Sequence, residues 1–232
     1  MPPRTAPSAT DGPRPPAFRR LAALALAAVA LAGAGAARAT DYLVEVVVFE
    51  NRGASGELDG ALWFPKTGPA LTPGSEAAGA ADYEVIEEGL SLEANAASIA
   101  GARGYRVLRH FAWRQPGLDR RESQAIRVNI GRAFDLYLPD DITPYEEFIP
   151  ASAAPRPDRE QAVRSTTVAG TLKVHLGRFL HLETLLVFTD EEAGRSYRLF
   201  ESRKMRSTEL HYIDNPRFGL LTRILPIEDP GS

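Results

Sequence analysis

Apolar and polar residues alternate along much of this chain with the two-residue period of strands half-buried in a sheet. The pattern is sharpest from Thr167. Val168, Gly170, Leu172, Val174 and Leu176 interleave with Ala169, Thr171, Lys173, His175 and Gly177. Leu180, Leu182, Thr184, Leu186 and Phe188 keep the same parity beyond Gly177-Arg178. Those two residues are either a bend in one long strand or a tight hairpin turn, and the unbroken parity favours the bend. Asp190 to Gly194 forms a turn. Ser196 to Met205 returns as a strand with Tyr197, Leu199, Glu201, Arg203 and Met205 on one face, and Gly219 to Ile227 is the last strand.

Nearer the start, Tyr42 to Phe49 is apolar except for Glu45 and predicts a buried strand. Leu92, Ala96, Ile99 and Ala100 recur at helical spacing, so Leu90 to Ala102 predicts a helix, with Ser91 as its cap and Gly101 and Gly104 ending it. Tyr105 to Trp113 alternates again. Tyr105, Val107, Arg109, Phe111 and Trp113 share one face, and Arg106, Leu108, His110 and Arg114 the other. The two strands are expected to be neighbours in one sheet, covered on one side by the helix. Ala125 to Ile130 adds a short strand and Leu136-Tyr137-Leu138 a fragment. Ala54–Ala81 and Asp140–Arg159 have loop composition, with Leu62-Trp63-Phe64 as an apolar anchor in the first. The expected class is α+β: a mostly antiparallel sheet, one main helix and long Gly/Pro-rich loops.

The first thirty-nine residues follow a different logic. Arg14, Arg19 and Arg20 precede the apolar run Leu21–Leu31, and Ala37-Arg38-Ala39 offers small residues to a signal peptidase. This is the layout of a secretory signal peptide over residues 1–39, leaving residues 40–232 as a single exported domain. Loss of Arg4, Arg14, Arg19, Arg20, Arg38 and Asp11 leaves 22 basic against 29 acidic residues, a net charge of −7. An acidic exported chain is a poor partner for nucleic acid. No later segment has the apolar length of a membrane helix, so no membrane insertion is expected after cleavage, and the expected location is the periplasm. The chain has no cysteine, which removes thiol nucleophiles, thiolate metal sites and lipoprotein anchoring.

Candidate chemistry is sparse. The four histidines, His110, His175, His181 and His211, show no metal-ligand spacing, and no cofactor or nucleotide motif appears. No nucleophile elbow is present. Glu201, Glu209 and Asp214 qualify for glycoside cleavage by residue type alone. The densest polar run is Glu201 to Pro216. Its cations Arg203, Lys204 and Arg206 beside Glu209, His211 and Asp214 fit a solvated ion-pair network that closes the sheet. They also fit a set of forked donors for a ligand carboxylate. Tyr212, Trp113 and Trp63 offer flat faces for sugar rings.

Five blocks of this chain carry a family likeness. They are Tyr42 to Glu50, Tyr105 to Pro116, Gly170-Thr171-Leu172, Arg178 to Leu182, and Arg203 to Ser207 followed by Glu209 to Pro216. In this order they resemble the CsiV family of periplasmic proteins from Gram-negative bacteria, over nearly the whole chain after the leader. The resemblance implies a non-enzymatic peptidoglycan-binding protein tied to wall assembly and cell shape. It also implies a partner, an outer-membrane lipoprotein that activates penicillin-binding proteins. Lys204 and Asn215 depart from the family pattern, which often has Arg and His there. The family assigns no binding residues, so the candidate ligand-binding set rests on position and chemistry: Arg178, His181, Arg203, Arg206, Glu209, His211, Tyr212 and Asp214. The alternatives are an adaptor for that lipoprotein without direct glycan contact and, behind it, a wall hydrolase.

Overall fold

The structure is a computed structural model that describes residues 40–54, 61–62, 68–137, 149–150 and 162–227, all within one unit, Ala39–Ser232. The signal-peptide expectation, Trp63, Phe64 and most of Asp140–Arg159 lie outside the described residues. The strands are β1 (Asp41–Asn51), β2 (Ala61–Leu62), β3 (Ala70–Leu71), β4 (Glu84–Ile86), β5 (Tyr105–Pro116) and β6 (Ala125–Tyr137). They continue with β7 (Ile149–Pro150), β8 (Ala162–Leu176), β9 (Leu180–Asp190), β10 (Arg195–Met205), β11 (Leu210–Asn215) and β12 (Phe218–Ile227). The helices are a short α1 (Glu76–Ala80) and α2 (Glu93–Gly101). The chain is mostly strand, with two helices where the α+β expectation had one.

Two sheets pack face to face. The first has the order β11-β12-β1-β5-β4, with every described pairing antiparallel. The second has the order β3-β6-β8-β9-β10-β2-β7, and its one parallel pair is β3 with β6. Val44, Val46 and Val48 of β1 join Phe218, Leu220 and Ile224 of β12 against Leu172, Leu182, Leu186 and Phe188 of the second sheet. On the other side of β1, Val47 and Phe49 meet Leu92, Ala96 and Ile99 beside α2. β1, in the middle of the first sheet, is therefore buried on both faces, which explains its continuous apolar run. Each fully buried side chain of this kind contributes about 1.5–3 kcal/mol.

Three expectations about the strands need correcting, and one about the helix. Gly177 to Phe179 is a hairpin loop, not a bend. β8 and β9 are antiparallel partners with His175 opposite His181 and Leu176 opposite Leu180. An odd-numbered loop keeps in-facing positions in phase on both arms, so parity alone does not separate the two cases. In β5 the alternation breaks at Leu108: Val48 pairs with Arg109 but Phe49 pairs with Val107. This bulge puts Val107 on the helix side, while Leu108, Phe111 and Trp113 pack into the sandwich. In β6 a second irregularity between Ile130 and Ala133, at Gly131 with φ +86°, lets one strand run through to Tyr137 and take in Leu136 and Tyr137 of the predicted fragment; Leu138 lies outside the described residues.

Ser91 is not the helix cap. Leu92 occupies that position without a side-chain bond. The cap comes from the neighbouring sheet. The fully buried Glu45 carboxylate accepts from Leu92 N (2.7 Å), Ser91 N (2.9 Å), Ser91 Oγ (2.6 Å) and His110 Nε2 (2.8 Å). Burial alone would raise the Glu45 pKa. The Ser91 hydroxyl, the Leu92 amide, His110 and the Ser91 amide outweigh it and hold the group below its ordinary value. A carboxylate with a depressed folded pKa stabilises the fold above its unfolded pKa and loses that contribution as pH falls through the folded one. Glu45→Gln is expected to lower stability at neutral pH by about 2 kcal/mol in urea unfolding. The gap to wild type should close as the pH drops below the carboxylate range. A gap that stays constant through acid would show that the charge is not what holds α2.

Candidate functional site

The face of the first sheet that carries α2 is only partly covered. β11 is the edge strand, and its alternation sends Leu210, Tyr212 and Asp214 to the helix side and buried Ile213 to the sandwich. Between β11 and β1 runs β12, where Gly219 stands opposite both Phe49 and Asp214. A Cβ at Gly219 would lie 2.9 Å from Phe49 Cζ and 2.9 Å from Asp214 Cβ. Its absence leaves a gap across β12 through which the Phe49 ring reaches Tyr212. The two rings stack with centroids 5.7 Å apart at 22°. Tyr105 tilts onto Phe49 from the other side, at 6.0 Å and 56°.

A groove of about 330 Å³ opens beside this aromatic set. Phe49 and Leu221 form its floor, Tyr105, Tyr212 and Leu210 its walls, and Asn95 and Ser98 of α2 add an amide and a hydroxyl. Tyr212 is 50% exposed, and Leu210 and Tyr105 are also exposed. Three of the four large apolar side chains that are exposed among the described residues thus border one groove, and a cluster of that kind marks a contact site where scattered residues would not. The Tyr212 hydroxyl donates to Asp214 Oδ2 at 3.1 Å. Desolvation, that hydrogen bond and the Asp214 charge push the Tyr212 pKa up to about 12, so its phenol stays neutral at any physiological pH.

The eight candidate residues fall into three groups. Tyr212 lines the groove, and Asp214 stands behind it as the acceptor of its hydroxyl. Arg203, Arg206, Glu209 and His211 surround the β10–β11 turn, where Thr208 has φ +71°. There Arg203 Nη2 meets Glu201 Oε1 at 2.6 Å, and Glu209 lies 3.7 Å from Arg206 and 3.5 Å from His211. His211 shares the sandwich face of β11 with Ile213, away from Tyr212. Arg178 and His181 lie at the far end of the β8–β9 hairpin. Arg178 and Lys204 both approach the Phe179 ring, at 5.7 and 3.5 Å, and His181 stacks on His175 at 4.9 Å.

The His175–His181 pair meets across the hairpin but gathers no further ligand. His175 Nε2 is bonded to Glu183 and His181 Nδ1 donates to Phe179 O. Burial lowers the His175 pKa, against the pull of Glu183. Among the described residues no group of three potential metal ligands forms. The carboxylates singled out for hydrolysis do not converge: Asp214 faces α2, while Glu201 is paired to Arg203 on β10. Trp113 is 2% exposed, with its indole N–H bonded to Gln115, so it is a core residue. Sequence reasoning missed Phe49, Tyr105, Asn95, Ser98 and Gly219. The bulge at Leu108 hid the side on which Tyr105 lies.

Among the described residues no helix is long and apolar enough to cross a membrane. No curated protein and no solved structure matches the chain. Residues 20–227, most of its length, match the family described as "Peptidoglycan-binding protein, CsiV". The chain therefore belongs to the CsiV family of peptidoglycan-binding proteins.

Proposed function

We propose that the protein binds the glycan strand of peptidoglycan in the groove between α2 and β11, without cleaving it, and does so in the periplasm in support of wall assembly and cell shape. The observation that carries this reading is Tyr212, half exposed and stacked on Phe49. A pyranose ring presents an apolar C–H face that packs on an aromatic ring held in place from behind. Its hydroxyl and N-acetyl groups find the Asn95 amide and the Ser98 hydroxyl along the helix wall. No residue lining the groove is charged, which favours a sugar over the carboxylate-bearing stem peptide. The cations at the β10–β11 turn already have carboxylate partners in Glu201 and Glu209, and exposed pairs of that kind contribute little.

Co-sedimentation with protein-free sacculi tests this. Tyr212→Ala and Tyr105→Ala are each expected to weaken binding about three- to tenfold, in line with the loss of one stacking contact. Arg203→Ala/Arg206→Ala is expected to pellet like the wild type. If the arginine variant is lost from the pellet and Tyr212→Ala is retained, the contact lies at the turn instead. Release of soluble muropeptides would mean that the protein cleaves the wall. Failure of stripped sacculi to bind, with retention on membrane extracts, would favour the adaptor for a lipoprotein. Gly219→Ala forces the Phe49–Tyr212 stack apart and is expected to cost about 1–3 kcal/mol in urea unfolding, with weaker sacculus binding.

A further inference from the structure

Glu50 is the second buried carboxylate of β1, and more cations meet it than it can satisfy. Arg52 Nε lies 3.4 Å from Oε2. Arg106 reaches the same oxygen with Nε at 3.0 Å and Nη2 at 2.9 Å. Arg217 Nη2 takes Oε1 at 3.2 Å and is also held by Asp190 at 3.0 Å. Three guanidiniums thus stand against two carboxylates, which leaves one positive charge in excess. Three N–H groups crowd Oε2, an oxygen with two lone pairs. The excess is turned outward. The Arg52 and Arg106 side chains are 53% and 49% exposed, whereas Arg217 is 20% exposed. A guanidinium has five N–H donors. Arg52 commits one to Glu50 and Arg106 two, so both keep Nη donors for an outside acceptor.

The backbone sets this pair in place. Arg52 N donates to Gly104 O at 2.6 Å, and Gly104, with φ +87°, lies against Gly53. The turn after β1 and the turn before β5 are clasped together, and the two arginines share one buried anchor before any ligand arrives. Two forked donors side by side match the two oxygens of a carboxylate. The pair also adjoins the groove. Phe49 and Tyr105, which line the groove, are the chain neighbours of Glu50 and Arg106, and Glu50 pairs with Arg106 across the strands. The groove opens on the α2 side, and Glu50 with its arginines lies at the end of the same strands on the sandwich side. An extended peptide of four residues spans about 13 Å, enough to pass from a sugar at Tyr105 round the start of β5.

We propose that Arg52 and Arg106 clamp a carboxylate of the stem peptide carried by the glycan strand that lies in the groove. The proposal rests on the glycan reading above and adds the peptide half of the wall to it. Aromatic faces hold the sugar on one side of the sheet, and the arginine pair holds the peptide by its charge at the sheet's end. Arg217 stays with Glu50 and Asp190 and keeps the clamp anchored.

The test is isothermal titration calorimetry with three soluble probes. They are the disaccharide of N-acetylglucosamine and N-acetylmuramic acid carrying its tetrapeptide, the same disaccharide ending in an uncharged lactyl amide, and the free tetrapeptide. Wild type is expected to bind the peptide-bearing probe about tenfold more tightly than the bare disaccharide. Arg52→Gln/Arg106→Gln should remove that gap and leave the affinity for the bare disaccharide unchanged, which also shows that the fold is intact. Arg52→Gln alone gives up only the longest contact to Glu50 and should narrow the gap to about threefold. Tyr212→Ala should weaken both sugar probes by the same factor. Equal affinity of wild type for the two sugar probes, or a gap that survives both arginine variants, would overturn the clamp and leave the glycan reading standing. Free tetrapeptide bound as tightly as the peptide-bearing disaccharide, with Tyr212→Ala without effect, would overturn the glycan reading and the joint site with it. No binding of any probe at millimolar concentration would overturn both.

Discussion

The middle of the first sheet is covered on both faces, and the rest of the molecule follows from how it meets that constraint. β1 runs through its middle with valines towards the second sheet and Val47 and Phe49 towards α2. One charged residue, Glu45, sits in the middle of that strand with no exposure. A bare carboxylate there would be prohibitive. The start of α2 supplies its partners, because the first amides of a helix have no acceptor inside the helix and carry a partial positive charge. A single contact therefore satisfies a buried anion, caps a helix that lacks its own cap, and fixes where α2 crosses the sheet. The groove is what that crossing leaves uncovered, between Asn95–Ala102 and the edge strand β11.

The two sheets are also tied at both ends of β1. At its end, Glu50 and Asp190 share Arg217, with contacts of 3.2 and 3.0 Å, so one guanidinium joins the first sheet to β9 of the second. The same guanidinium lies 5.7 Å from the Phe188 ring centroid. Near its start, opposite Tyr42, the buried Gln115 accepts from the Trp113 indole and donates to Val174 O at 3.1 Å. Buried groups of this sort do little for net stability but leave only one register in which all of them are satisfied. The sandwich is held against sliding, and the aromatic groove is presented from a fixed frame.

Much of the frame was legible in the sequence. The runs at Tyr42–Phe49, Val168–Phe188 and Gly219–Ile227 gave strands in the right places, and the helix at Leu90–Ala102 is present in trimmed form as Glu93–Gly101. The features that failed were those that periodicity does not encode. The extra residue at Leu108 reverses which face Tyr105 and Val107 occupy, and only the partner strand reveals it. The loop at Gly177–Phe179 keeps parity and so resembled a bend. The groove itself rests on an absence: Gly219 adopts an ordinary extended backbone, and its role appears only when Phe49 and Asp214 are placed on either side of it. The polar run Glu201–Pro216 was conspicuous for its charge. Its parity, however, divides it, with His211 facing the sandwich and Tyr212 facing α2.

The groove takes its character from where α2 crosses the sheet. Its lining is aromatic and uncharged, and its floor belongs to β1 and β12. A shift of β1 would strain the Glu45 cap together with the Arg217 and Gln115 ties. A sheet so held transmits little, because coupling between sites requires an element with two arrangements of similar energy. The aromatic floor therefore keeps one arrangement, and whatever meets the groove meets a surface already in place.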